Sequence, residues 1–306
     1  IIATWVFTDT LSFATDGIMT GKVPHVIGSV LLLLYLYGIG KAALMPIHRW
    51  LPAAMVAPTP VSALLHAVAV VKAGVFTIVK VAVYIFGLDY LRELALADIA
   101  LYLAGFTIIV ASIVALRQDN LKRRLAYSTV SQLSYVTLAA LILSPLSTMG
   151  AALHIAVHAF GKITLFMAAG AIYTAAHKIN VSQLDGIGKR MPWTMGAFTI
   201  GALSMIGLPP AGGFLSKWYI LLGALEAEQM FALAVIVGST LLNAAYFLPI
   251  VYAAFLKPEA TDAQDHEHGE APLPIVMALV ITASATILLF FFPDLALHLA
   301  GMLVGR

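Results

Sequence analysis

Cysteine is absent from this chain. That excludes disulfides, thiolate zinc sites and iron–sulfur clusters held by the chain itself, and it leaves the compartment open. Charge is scarce as well: 10% of residues are charged, against about 25% in a soluble domain. With 61% hydrophobic residues and a mean hydropathy of +0.96, the chain cannot present enough polar surface to water. It reads as a polytopic, all-α membrane protein. The net charge of +2 carries no message about nucleic acid, and no nucleic-acid partner is expected. A basic leader is also missing, since the first residues include Asp9 and Asp16, so no signal peptide is visible. The chain opens on Ile1, and we read it as truncated at its N-terminus.

One further absence concerns acids. All 15 carboxylates lie in connectors or at span ends, Glu226 being the nearest to an exception. Cations do occur inside apolar stretches. A buried charge normally has a partner, so a partner from upstream helices or an adjacent subunit is expected.

Apolar runs place eight spans. The first runs from about 26 to 56. The others cover roughly 61–86, 96–116, 124–143, 148–176, 193–226, 230–256 and 273–293. Each is near or above the ~20 residues that cross a bilayer, and lipid requires them to be helices because an open sheet edge cannot be satisfied there. Residues 1–23 alternate Trp5, Phe7, Leu11 and Phe13 with Thr and Asp, as an interfacial segment does. Lys and Arg concentrate in the connectors 49–60, 117–123, 177–192 and 257–271, which alternation puts on one side. The positive-inside rule makes that side cytoplasmic and the C-terminus external. His266 and His268, in the acidic loop 257–271, read as solvated rather than metal-binding.

Two spans are broken. Pro46, Pro52, Pro58 and Pro60 interrupt Lys41–Phe76, and Gly207, Pro209, Pro210, Gly212 and Gly213 interrupt 204–217. Each break has a lysine beside it, Lys41 and Lys217, and follows an amphipathic connector on opposite sides of the membrane. That is the pattern of an inverted repeat. The single membrane domain 1–306 then divides into the interfacial segment 1–23, the end of a first repeat at 24–86, a second repeat at 96–256 and an extra span at 273–293.

Lys41, His66, Lys72, Lys162 and Lys217 stand in or beside apolar stretches. A lysine at mid-bilayer costs about 2.5–3.5 kcal/mol on insertion scales. Snorkelling accounts for Lys80, close to a span end, but poorly for Lys72. Taking a lysine out of water loosens its proton, which suits proton transfer. His154, His158 and Lys162 recur every four residues and so share one helix face over about 12 Å. Such a row can pass protons. It can equally tie helices together or share a metal, although no carboxylate or thiol joins it. As relay members, His154 and His158 would be partly redundant. The span holding Ser128, Thr129, Ser131, Gln132, Ser134, Tyr135 and Thr137 could hold waters or simply pack.

The run GKAALMPIHRWLPAAMVAPTPVSALLHAVAVVKAGVF resembles the antiporter-like, proton-translocating subunits of respiratory complex I, membrane-bound hydrogenases and Mrp-type sodium/proton antiporters. LKRRLAYSTVSQLSYV, HIAVHAFGKITLFMAAGAI and IGLPPAGGFLSKWYILLGAL match the same family in the same order, and the SKWY form is most similar to the D-type component of Mrp antiporters and its hydrogenase relatives. The resemblance implies a fold of fourteen helices with two inverted five-helix repeats, of which this chain is the C-terminal part. It places relay positions on Lys41, His66, Lys72, His154, His158, Lys162 and Lys217. It also implies a glutamate, upstream of Ile1, that pairs with Lys41. The expected function is proton translocation within a multi-subunit membrane complex, with protons and, as a second candidate, sodium as cargo. No cofactor and no metal are expected. The rival expectation is a structural membrane-arm subunit. A membrane enzyme ranks third, because no nucleophile–base pair appears. Redox chemistry would belong to partner subunits, and the location expected is the inner (cytoplasmic) membrane.

Overall fold

Residues 1–258 and 269–305 are described by a computed structural model. His266 and His268 lie outside the described residues. Apart from one bridge between Asn120 and Asn180, the described chain is helices and turns. Helix α1 (Ile2–Thr8) caps the surface. A half-helix, α2 (His25–Gly38), leads through a 3₁₀ turn at Gly40–Ala42 to the short α3 (Trp50–Ala53). Then come α4 (Thr59–Phe86), α5 (Leu88–Arg92), α6 (Ala97–Arg117), α7 (Leu121–Leu141) and α8 (Pro145–Ala176). The second broken span is α9 (Pro192–Ile206) followed by α10 (Gly213–Glu226). Helices α11 (Met230–Leu256), α12 (Leu273–Phe291) and α13 (Asp294–Met302) complete the chain.

Among the described residues, 5 helices are long and apolar enough to cross a membrane: α4, α6, α8, α11 and α12. The chain is a multi-pass helical membrane protein. Helix α7 is long enough but too polar to qualify, and this explains its place. Ser128, Ser131, Gln132, Ser134 and Thr137 are all fully buried. Lipid offers hydroxyls and amides no partner, so the most polar long helix takes the centre, flanked by α6 and α8. By contrast α12, with only 17% of its apolar window buried, lies at the periphery.

Both expected breaks are present. The first starts earlier than the prolines suggest: α2 stops at Gly38, and only four α-helical residues, in α3, resume after Pro46. The Tyr37 hydroxyl donates to the Met45 carbonyl (3.2 Å), and the Trp50 indole N–H donates to the Gly40 carbonyl (3.1 Å). These side chains take over from the helical ladder that Pro46 cannot continue. The second break lies at Gly207–Gly212, and Gly207 turns the chain at φ +91°. Helix α4 carries two π-helical stretches, Leu64–Val68 and Val81–Phe86, which the sequence does not announce.

The connectors sort by end. The Lys122 amine donates to the Ala57 carbonyl (2.8 Å), Leu121 N–H to the Ile179 carbonyl (2.9 Å), and Lys257 pairs with Asp185 (3.2 Å). Thus 49–60, 117–123, 177–192 and Lys257 share one end of the bundle, as their charge suggests. At the other end Arg92 donates to the Leu143 carbonyl (2.7 Å), Ser144 bonds Glu226, and Ile18 N–H bonds the Ile85 carbonyl (2.9 Å). Helix α13 packs there too, Ala300 clustering with Met149 and Leu153.

Candidate functional site

Helices α4, α7, α8, α10 and α11 bring six of the seven expected residues into one buried row. His66, His154, His158 and Lys162 are 0% exposed, Lys217 5% and Lys72 7%. Lys41 is the exception: it is exposed on the outside of this chain and has no ion pair among the described residues. Its backbone is nevertheless at the centre. A Cβ on Gly74 would come within 2.5 Å of the Lys41 carbonyl carbon, so the first break packs directly against α4, two residues beyond Lys72.

The row begins where α4 faces α8. The Lys72 amine stands 2.6 Å from Nδ1 of His158, a hydrogen bond spanning 86 residues of sequence. The π turn at 64–68 holds His66, whose ring lies 5.1 Å from that of Phe166 and whose two nitrogens have no protein partner. A π turn adds a residue to the helix and is frequent at functional sites. Along α8 the rings of His158 and His154 are 5.9 Å apart, as the four-residue spacing requires. Nδ1 of His154 bonds the Ser216 hydroxyl at 2.9 Å. The two histidines therefore have different partners, Lys72 and Ser216. Nε2 of each has no protein partner. Buried polar atoms seldom stay unpaired.

Lys162, one turn further, donates to the Ser128 hydroxyl (2.7 Å) and the Leu125 carbonyl (3.3 Å) of α7, and lies 5.6 Å from the Phe247 ring. Lys217, just past the first turn of α10, reaches back to the end of α9. It donates to the carbonyls of Met205 (2.8 Å) and Ile206 (3.0 Å), and its amine sits 4.7 Å from the Tyr135 ring. Helix C-termini leave carbonyls unpaired and carry partial negative charge, so the break provides a cation site without a carboxylate. Among the described residues neither Lys72, Lys162 nor Lys217 has an acidic partner. Lys80 lies apart, its amine 4.2 Å from the Phe13 ring near the bundle end, which agrees with snorkelling.

Sequence reasoning missed Ser216, Ser239, Asn243 and Tyr246. Tyr246 bonds the Ser128 hydroxyl (2.9 Å) and the Asn243 side-chain oxygen; Asn243 in turn donates to the Met205 carbonyl (3.4 Å). Ser239 bonds the Tyr135 hydroxyl. The signal was present: Ser239, Asn243 and Tyr246 recur at four and three residues along an otherwise apolar helix, which puts them on one face.

Residues 2–243 match the family described as NADH:quinone oxidoreductase/Mrp antiporter, TM. The chain belongs to that family. It is 38% identical to NADH-quinone oxidoreductase subunit N of Desulforudis audaxviator, over 88% of this chain and 54% of that one. This antiporter-family chain thus spans about half the length of that relative. Among solved structures it resembles a chain of the membrane-bound sulfane sulfur reductase, an archaeal respiratory membrane complex. There the TM-score is 0.82 and the identity 25%, over 98% of this chain and 61% of that one. A chain of the Mrp complex from Dietzia sp. DQ12-45-1b shares the fold, with a TM-score of 0.80 and 24% identity over 90% of this chain and 59% of that one.

Proposed function

We propose that this chain is part of an antiporter-like subunit that moves protons across a membrane, inside a complex built from several membrane subunits. One observation carries the reading: three buried lysines and three buried histidines form a row across the bundle with no acid among the described residues to neutralise them. A bundle that only had to stand in lipid would bear this electrostatic cost without return. Protons are the cargo this chemistry handles best, because amines and imidazoles take up and release H⁺ without other ligands.

In this reading Lys72 and His158 share a proton at the α4–α8 contact, Lys162 is the next acceptor, and Lys217 is the terminal one. His66 and His154 hold waters along the row. Lys41 faces outward to meet a carboxylate from another helix, which would set the proton affinity of the first break. We assign the chain to the inner (cytoplasmic) membrane, with its basic end in the cytoplasm and its C-terminus outside.

Lys217→Ala tests the reading. The full-length protein in its complex, reconstituted in vesicles, is expected to assemble normally and to lose most proton transport. Unchanged formation of a pH gradient would refute it.

A further inference from the structure

We propose that Tyr246 carries the proton between Lys162 and Lys217. The inference rests on the relay reading above and names the residue for its last step. The histidine row does not reach Lys217 by hydrogen bonds. His154 bonds Ser216, and Ser216 donates onward to the Gly213 carbonyl (3.1 Å). A backbone carbonyl does not pass a proton on. His154 and Lys217 both meet the Tyr135 ring, His154 stacked at 5.7 Å and Lys217 at 4.7 Å. An aromatic face accepts a cation but transfers no proton.

A second line of hydrogen bonds runs from Lys162 as far as Asn243, one water short of Lys217. Lys162 donates to Ser128 at 2.7 Å, and the Tyr246 hydroxyl lies 2.9 Å from the same oxygen. That phenol has two partners, Ser128 Oγ and Asn243 Oδ1, and rotation about its C–O bond moves its proton from one to the other. A group that faces a donor station on one side and an acceptor on the other is what a relay needs. On the far side Asn243 and Lys217 meet at one atom, the Met205 carbonyl, with Asn243 Nδ2 at 3.4 Å and the Lys217 amine at 2.8 Å. Gln132 donates to the same carbonyl at 3.3 Å.

Protonated Lys162 gives H⁺ to Ser128 Oγ while Ser128 gives its own proton to the Tyr246 oxygen. Tyr246 releases its phenol proton toward Asn243, and one water passes it to the neutral Lys217 amine. Lys162 loses one positive charge and Lys217 gains one, and only N–H and O–H bonds change. Rotation of the two hydroxyls resets the line. Asn243 and the Met205 carbonyl hold the geometry. Arg124 donates to the Tyr246 carbonyl at 3.0 Å, which ties α7 to this turn of α11.

The test uses the full-length protein in its complex, in vesicles carrying a pH-sensitive dye, with transport compared in H₂O and D₂O. Tyr246→Phe removes one hydroxyl and keeps the ring. It is expected to slow transport on the order of tenfold or more, to change the solvent isotope ratio, and to leave assembly intact. Ser128→Ala should do the same and Ser128→Thr, which keeps the hydroxyl, should not. Tyr246→Phe at the wild-type rate beside an inactive Lys217→Ala would remove Tyr246 from the path and leave the relay reading standing. Equal rates for Ser128→Ala and Ser128→Thr would also overturn the inference. Lys217→Ala at the wild-type rate would instead remove the relay reading itself.

Discussion

Lys72 and His158 are the closest pair of titratable groups in the row, 2.6 Å apart. In the proposed relay a proton would pass directly across that contact. His154 is one turn away and bonds a serine instead. His158→Gln is therefore expected to slow proton transport on the order of tenfold or more, and His154→Gln distinctly less. Equal losses, measured in vesicles at matched protein content, would contradict separate stations. The four-residue spacing of His154, His158 and Lys162 made their shared face legible in the sequence. Their partners were not legible, because Lys72 and Ser128 come from other helices and no local pattern encodes that pairing. Lys41 shows the converse. Its sequence context marks it as a site residue, but its side chain is exposed on this chain and pairs with no acid among the described residues.

At the scale of the element, both breaks could be read from Pro and Gly, which cannot continue a helix at those positions. The π turns of α4 could not, since no residue type marks them. The role of the second break depends on Gly207. Its φ of +91° suits glycine, and a Cβ there would come within 2.7 Å of Cδ of Lys217. Gly207→Ala should therefore cost about 1–2 kcal/mol of stability and also push the Lys217 side chain off the α9 carbonyls. A lower thermal midpoint together with reduced transport is expected. A variant that melts lower but transports normally would show that Lys217 tolerates displacement. Helix α7 was also recognisable as unusual. Its hydroxyl-rich sequence left two readings, packing or proton handling, and the structure contains contacts suited to both: Ser112 bonds Ser131 (2.9 Å), tying α6 to α7, while Ser128 bonds Lys162.

Across the whole molecule, the basic connectors meet at one end and α13 packs at the other. Cysteine labelling in a cysteine-free background of the full-length protein makes the orientation directly measurable. A single cysteine at Leu303 in the full-length protein should react with a membrane-impermeant thiol reagent applied from outside intact cells, and one at Lys189 should not. The reverse pattern would invert the assigned topology. Lys162 is where the parts of the row meet. It is fully buried, one turn from His158, and bonded to the hydroxyl that leads to Tyr246. Lys162→Met keeps the length of the side chain and removes its proton site. The most direct measurement is proton flux in vesicles containing the assembled complex with this one change. Assembly is expected to be unaffected and flux to fall on the order of a hundredfold; flux at the wild-type rate would contradict a relay through Lys162.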